Sequence, residues 1–489
     1  MTSPDNIPYK SLLQIERELS SPIFLQIANQ FIAAISTGRI RPNTKLPGSR
    51  TLAKLLDVHR NTVTAAYDEL YGQGWINIQA NRGAFVSASL PEPNENELST
   101  IRYAAQTGFK FKASILLDNP FERTECTYSL NDGSPDIRLT QIEDFSKIYS
   151  ANMKRKSNRS KIGYYNYEGS EYFKEQMTAY LQRSRSLQIT TNNILITRSI
   201  EMSLYIISEI LLQPEDSVVV GELSYFSANM IFQKSGSKVY TVPVDDEGLD
   251  INALEQLCKI KPIRMVYVSA QHHYPTTVSL SVTRRMKLLQ LARKYNMIII
   301  EEDHDYDFQY DNKPLLPLAS NDQHGMVIYV GSFGKSLAPG FRTGFVVAPE
   351  NLMVEMRKHL GIIDRQGDIL MEQALGEMIE EGAIHRHLKK SLKVYRERRD
   401  YMAFLLSSEL EVDFEIPTGG LAYFIKWRNP LNLLKLSLQA RKNDLFIPRT
   451  LLYQHKSLRA MRIGFGSLDR DEMKVVIQIL KKSVEQIKS

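Results

Sequence analysis

The chain has 489 residues and a formal net charge of +6, from 61 Lys and Arg against 55 Asp and Glu. That length points to two to four domains, and 43% hydrophobic with 24% charged residues excludes a largely disordered chain. Two cysteines, Cys126 and Cys258, exclude a disulfide framework and a four-cysteine metal site, so no metal is expected. Residues 1–10 lack a basic stretch followed by an apolar run, and the longest apolar runs, such as 297–300, are too short for a bilayer. The expectation is a cytoplasmic protein without a membrane segment.

Residues 22–36 repeat Ile23, Ile27, Phe31 and Ile35 at helical spacing, with Gly38 suited to the end. A second helix follows, with Ser49 as its N-cap and Leu52, Leu55 and Leu56 on one face. A third starts near Asn61, carries Val63, Ala66, Tyr67 and Leu70, and ends at Gly72 and Gly74. Residues 75–79 and 84–87 read as short strands joined by the turn Asn81-Arg82-Gly83. Three helices and a hairpin, in that order, make a winged helix-turn-helix, an α+β domain.

Basic residues crowd this region: Arg39, Arg41, Lys45, Arg50, Lys54, Arg60 and Arg82 stand against Asp57, Asp68 and Glu69. A recognition helix opening Arg60-Asn61-Thr62 carries side chains that pair with guanine, adenine, and phosphate or a thymine methyl. Arg50 is placed to face the DNA backbone. Arg82 and Gly83 put a cation on a tight wing, and Lys45 and Ser49 complete the candidate contacts. Any one arginine alone reads as a surface residue; the combination is specific. Leu46-Pro47-Gly48-Ser49-Arg50, then Val58-His59-Arg60-Asn61-Thr62-Val63, then Ala66-Tyr67, resembles the GntR family of bacterial regulators over about residues 22–87. Gly48 departs from the serine usual there.

Residues 90–98 have linker composition, with Pro91, Pro93 and three glutamates, and the linker is expected to continue with some helical character toward Asn119. From about Phe121, apolar strands alternate with amphipathic helices. Strands are expected at 193–197, 217–220, 238–243, 264–269, 297–301, 327–331 and 344–347. Intervening helices are expected at 200–212, 226–235 and 282–295. This pattern predicts an α/β domain with a mostly parallel sheet covered on both faces. Beyond about Leu352, long helices and two strand candidates, 421–426 and 459–464, suggest a smaller α+β subdomain. The expected division is 1–90 for the winged helix, 91–118 for the linker and 119–489 for the large domain.

The strongest chemical motif is Ser332-Phe333-Gly334-Lys335-Ser336-Leu337-Ala338-Pro339-Gly340-Phe341-Arg342, after the strand at 327–331. A lysine held dry past a strand end loses charge and becomes nucleophilic, able to form an imine with pyridoxal 5′-phosphate. Ser332 and Arg342 offer a hydroxyl and a guanidinium to phosphate. Glu301-Glu302-Asp303-His304-Asp305 ends another strand, where a carboxylate can bind a protonated pyridine nitrogen. Asp303 is favoured on side-chain type, and Glu302 on strict alignment. Thr197-Arg198-Ser199-Ile200-Glu201 lies at a strand-to-helix junction whose free N–H groups suit phosphate. Glu222-Leu223-Ser224-Tyr225-Phe226 supplies an aromatic, Phe226, to cover a ring.

These segments, in this order and with Tyr274-Pro275-Thr276 between them, resemble the fold-type-I aminotransferases over about residues 119–489. With the N-terminal part, the whole chain resembles the MocR-type regulators, the GntR subfamily that joins a winged helix to an aminotransferase-like domain. The resemblance implies a transcription regulator that binds double-stranded operator DNA and senses pyridoxal phosphate or an amine or amino-acid effector. It implies a homodimer, in the head-to-tail arrangement of that family. Lys335 matches the Schiff-base lysine, and Arg342 and Ser332 match phosphate contacts. Arg462 matches the arginine that pairs with an amino-acid carboxylate. Tyr164 matches a tyrosine reaching the neighbouring subunit's cofactor phosphate. His304 stands where a tyrosine usually meets the cofactor's phenolic oxygen, and Ser199 and Ile200 replace the usual glycine and serine. The alternative is a working aminotransferase with an accessory DNA-binding domain. The fused DNA signature and the changes at His304 and Ser199 argue against turnover as the main role.

Overall fold

The computed structural model describes residues 7–17, 21–79, 82–90, 104–117, 122–163, 168–311, 315–455 and 458–488. Tyr164, Asn81 and half of the expected linker lie outside the described residues. The chain divides into two compact units, Met1–Lys112 and Ala113–Ser489.

The first unit contains α1 (Tyr9–Leu12), α2 (Ile23–Ser36), α3 (Ser49–Leu56) and α4 (Arg60–Gly72), then β1 (Ile76–Gln79) and β2 (Gly83–Val86) paired antiparallel. The apolar stripe Ile27, Phe31 and Ile35 of α2 is fully buried against Leu52, Val63, Ala66 and Leu70. Each such side chain contributes about 1.5–3 kcal/mol through burial. Gly48, not Ser49, caps α3, so Ser49 is the first helical residue, and no side chain caps that end. The reason is local: Gly48 holds the extended backbone a cap requires, and the Ser49 hydroxyl instead accepts from Arg60 Nε at 3.4 Å. His59 caps α4, its Nδ1 accepting from Asn61 N at 3.2 Å. The Tyr67 hydroxyl of α4 donates to Pro47 O at 2.7 Å, tying that helix to the turn before α3. Residues 104–117 form no helix, contrary to expectation. Nearly all of them are exposed, Phe109, Phe111 and Ile115 included, and a short helix whose apolar side chains stay unburied does not persist.

The second unit is built on a seven-stranded sheet. Its strands are β3 (Ile194–Thr197), β4 (Ser217–Gly221), β5 (Lys238–Val242), β6 (Met265–Val268), β7 (Ile298–Asp303), β8 (Val327–Ser332) and β9 (Gly344–Val347). Their order is β3-β9-β8-β7-β6-β4-β5. Every pairing is parallel except those of β9, which runs antiparallel to β8 and β3. All the expected strands form, with ends displaced by a residue or two. Val218, Val220, Ile300, Ile328 and Val330 pack on one face, under α5 (Ile200–Leu211), α6 (Phe226–Lys234) and α7 (Glu350–Ile363). Val219, Val266, Val268, Ile299 and Val327 pack on the other, with residues of Ile251–Ile260 and Val282–Tyr295. Burial on both faces explains why these strands read as continuous apolar runs.

The two later strand candidates form the centre of a four-stranded antiparallel sheet, Ala422–Trp427 against Leu458–Gly464. Its outer strands, Val412–Phe414 and Leu452–His455, are short and were not expected. Among the described residues, no helix is long and apolar enough to cross a membrane.

Candidate functional site

In the first unit, Arg60 and Asn61 open α4 and are exposed, while Thr62 is half-buried. Arg50 on α3 and Lys45 before it are exposed, and Ser49 is half-buried. Lys45 pairs with Phe85 in an isolated antiparallel bridge, and Leu46 N donates to Ala84 O at 2.9 Å, which joins the 43–46 segment to the wing. Arg82 and Gly83 are exposed at the hairpin, where Gly83 has φ +105°, a value that favours glycine. Arg60 and Asn61 at the start of α4 and Arg82 at the wing are exposed cationic or amide-bearing side chains, as phosphate and base edges require.

In the second unit, a cavity of about 210 Å³ opens beyond the C-terminal ends of the parallel strands. Ser332, Lys335, Arg342, Glu302, His304, Ser199 and Ile200 all line it. Arg342 has left-handed backbone, φ +48°. Ser332 Oγ accepts from Gly334 N at 2.9 Å and donates to Thr343 O at 3.1 Å, which fixes the loop that carries Lys335. The N-terminus of α5 points its free N–H groups here, with the Ser199 hydroxyl accepting from Met202 N at 3.2 Å. A side chain at Gly344 would lie 2.8 Å from the Ser199 carbonyl carbon, so only glycine lets β9 pass this turn.

The carboxylates alternate along β7. Glu302 faces the cavity, where Ser269 Oγ donates to it at 2.7 Å and His304 Nδ1 lies 2.9 Å from its Oε2. Asp303 does not line the cavity. It accepts from Tyr306 N at 3.0 Å and from the Tyr329 hydroxyl, and burial raises its pKa to about 6. Against the preference for Asp303, it is Glu302 that faces the cavity, because a strand turns successive side chains to opposite faces.

Asp305, fully buried, draws three cations together. Lys335 Nζ is 3.0 Å from its Oδ1, His304 Nε2 is 3.2 Å from its Oδ2, and Arg462 Nη2 is 3.9 Å from the same oxygen. Burial opposes the Asp305 charge, but Lys335, His304 and Arg462 hold the carboxyl well below its ordinary range. Burial also opposes charge on His304, yet Glu302 and Asp305 outweigh it and raise the imidazole to about 9.

Phe226 does not line this cavity; it lines a separate depression with Met230 and Tyr453. The aromatic that does is Tyr225, whose hydroxyl donates to Glu201 Oε1 at 2.6 Å. Phe226 is the first residue of α6 and Tyr225 its cap; the two rings meet edge to face, centroids 5.3 Å apart, with Tyr225 on the cavity side. Arg462 is also absent from the cavity wall, being fully buried. Glu201, Asp132 and Asp305 were not singled out from sequence. The signal for Glu201 was its place in the first turn of α5.

The donor set fits a phosphorylated pyridine aldehyde. An amine, a carboxylate, a guanidinium, a hydroxyl and a helix N-terminus share one cavity. Glu201 runs against it, adding negative charge beside that helix end.

Comparisons with known proteins agree with this geometry. The family model for aminotransferases of class I and II matches residues 129–480, and that for bacterial regulatory proteins of the gntR family matches 24–86. The chain is 25% identical over 400 residues to the probable rhizopine catabolism regulatory protein MocR of Rhizobium meliloti, covering 82% of this chain and 80% of that one. It is 26% identical over 420 residues to the HTH-type transcriptional regulator TauR of Rhodobacter capsulatus, covering 84% and 86%. Among solved structures it resembles the kynurenine aminotransferase of Pyrococcus horikoshii, with a TM-score of 0.67, 24% identity and coverage of 74% and 91%. An archaeal alanine:glyoxylate aminotransferase matches with a TM-score of 0.69, 24% identity and coverage of 73% and 91%.

Proposed function

Because the chain belongs to the class I and II aminotransferases and carries a gntR-family segment ahead of that domain, in the MocR-type arrangement, we propose that it regulates transcription by coupling a pyridoxal-phosphate pocket to operator binding. The observation that carries this reading is the shared cavity of Lys335, Glu302, Arg342, Ser332 and the N-terminus of α5. When bound, the cofactor supplies an aldehyde that condenses with amines and a ring that takes up electrons.

In this reading Lys335 holds the cofactor. Glu302 would hold the ring nitrogen, and His304, kept protonated by Glu302 and Asp305, would donate to the ring's phenolic oxygen. Arg342, Ser332 and the free N–H groups after Ser199 would grip the phosphate. Tyr225 would border the ring. Arg50, Arg60, Asn61, Thr62 and Arg82, with Lys45, Ser49 and Gly83, would meet operator DNA. The protein acts in the cytoplasm as a homodimer, head to tail, matching a two-fold operator. An effector shifts DNA affinity only by binding the two states unequally.

The test is borohydride reduction of the protein loaded with pyridoxal phosphate, followed by peptide mapping, with operator binding measured in parallel. Label on Lys335 and retained operator binding are expected. No labelled lysine, or robust transamination together with no operator binding, overturns the proposal.

A further inference from the structure

One short segment after β7 reaches Lys335 from two directions. Asp305 takes its amine, and Asp307 takes the residue beside it: the Ser336 hydroxyl donates to Asp307 Oδ2 at 2.7 Å. The other Asp307 oxygen accepts from the Tyr180 hydroxyl at 3.0 Å and from Arg185 Nη1 at 2.9 Å. Arg185 is buried at the end of the helix Glu171–Arg185, its guanidinium 4.2 Å from the Tyr306 ring centroid. Tyr180 also packs on Phe333 of the Lys335 loop, with centroids 5.5 Å apart. Burial opposes the Asp307 charge, but Arg185, Ser336 and Tyr180 hold its carboxyl below the ordinary range, so it is ionised at neutral pH.

Asp307, Ser336, Arg185 and Tyr180 do not line the cavity, so they act on a ligand only through what they hold. The Lys335 loop is fastened at both ends. On the cavity wall, Ser332 bonds to Gly334 N and Thr343 O. Away from that wall, Ser336 bonds to Asp307, and Leu337 O accepts from Thr140 Oγ1 at 2.8 Å. A buried arginine needs a counter-charge, and Asp307 supplies it. That need accounts for Oδ1. Oδ2 is turned to the Lys335 loop instead.

We propose that Asp307 is a positioning residue for Lys335: through Ser336 it fixes the loop so that the amine stays aimed into the cavity. This rests on the proposed role of Lys335. In condensation, the neutral amine nitrogen bonds to the aldehyde carbon, and its two protons leave with the aldehyde oxygen as water. A nitrogen held out of line slows that step.

The experiment uses the full chain with Ser336→Ala, Ser336→Thr, Asp307→Ala and the double alanine variant. One readout is the rate at which added pyridoxal phosphate makes Lys335 trappable by borohydride. The other needs no cofactor: acetylation of Lys335 by dilute acetic anhydride, relative to the exposed Lys389 in the same sample, by peptide mass spectrometry. Ser336→Ala should slow trapping about tenfold, the order of one hydrogen bond to a charged acceptor. It should also raise the acetylation ratio severalfold, as the amine comes away from Asp305. Ser336→Thr, which keeps the hydroxyl, should hold both wild-type values. Asp307→Ala should match Ser336→Ala, and the double variant should be no slower than either. Either readout unchanged in Ser336→Ala overturns the inference, as does Ser336→Thr as slow as Ser336→Ala, or a double variant in which the two losses multiply. If Asp307→Ala fails to fold, the two Ser336 variants decide. A wild type with Lys335 unlabelled sinks the cofactor role, while the acetylation ratio still decides whether Ser336 and Asp307 hold the amine.

Discussion

Lys335 Nζ and Asp305 Oδ1 stand 3.0 Å apart, and the same buried carboxylate is the counter-charge for His304 and Arg462. One anion thus sets the charge balance of the cavity floor. Asp305→Asn leaves three cations facing one another without it. We expect a loss of about 3–5 kcal/mol in stability, read by urea unfolding, as for other buried pairs stripped of one partner. A loss below 1 kcal/mol would show that water already screens this cluster.

The two neighbouring carboxylates of β7 should separate cleanly on mutation. Glu302→Gln should weaken retention of pyridoxal phosphate during dialysis, because it faces the cavity. Asp303→Asn should leave retention intact and change stability instead, because its partners are Tyr306 and Tyr329. The reverse pattern would return the ring-nitrogen role to Asp303.

The pH dependence of stability has a defined sign at His304. Its folded pKa, about 9, lies above the ordinary 6.5. The stabilisation from its contacts with Glu302 and Asp305 is complete below about 6.5 and fades as the pH climbs through 9. Wild type should therefore lose melting temperature between pH 7 and 9.5 more steeply than His304→Gln. Equal slopes would place the titration elsewhere.

Glu201 adds charge where the phosphate is expected. Burial opposes that charge, but hydrogen bonds from Tyr225 and Ser199 hold its pKa below the ordinary value, so it is ionised at neutral pH. Glu201→Gln should tighten pyridoxal phosphate severalfold in an absorbance titration while leaving pyridoxal, which lacks the phosphate, nearly unaffected. Equal changes for both would place Glu201 away from the phosphate.

At the other end of the chain, Arg60→Ala should cost about 1–3 kcal/mol in operator binding and relax base preference at one position. Among the described residues the Arg60 side chain holds only a long contact to Ser49, 3.4 Å, so little would be surrendered on turning to DNA. An unchanged preference would remove Arg60 from the groove.

The sequence carried the seven sheet strands plainly, because strands buried on both faces are unbroken apolar runs. It hid Val412–Phe414 and Leu452–His455, which are short and only partly buried. Lys335, Ser332 and Arg342 were legible because one loop supplies all three. At Glu302 and Asp303, the period of two, rather than side-chain type, decided which carboxylate faces the cavity. At Tyr225 and Phe226, a helix boundary one residue away decided which ring reached the cavity. Arg462 matched by position, yet its surroundings come from Asp132, Pro275 and Asp305, brought in from distant parts of the chain.

The Tyr67 hydroxyl, hooked onto Pro47 O, locks the aim of α4, the helix proposed to meet DNA, before any duplex arrives. Docking then requires little refolding, so few degrees of freedom are frozen on association. The lever on operator affinity becomes ionic strength: each displaced counterion counts, and a steep log–log salt slope is the signature to look for.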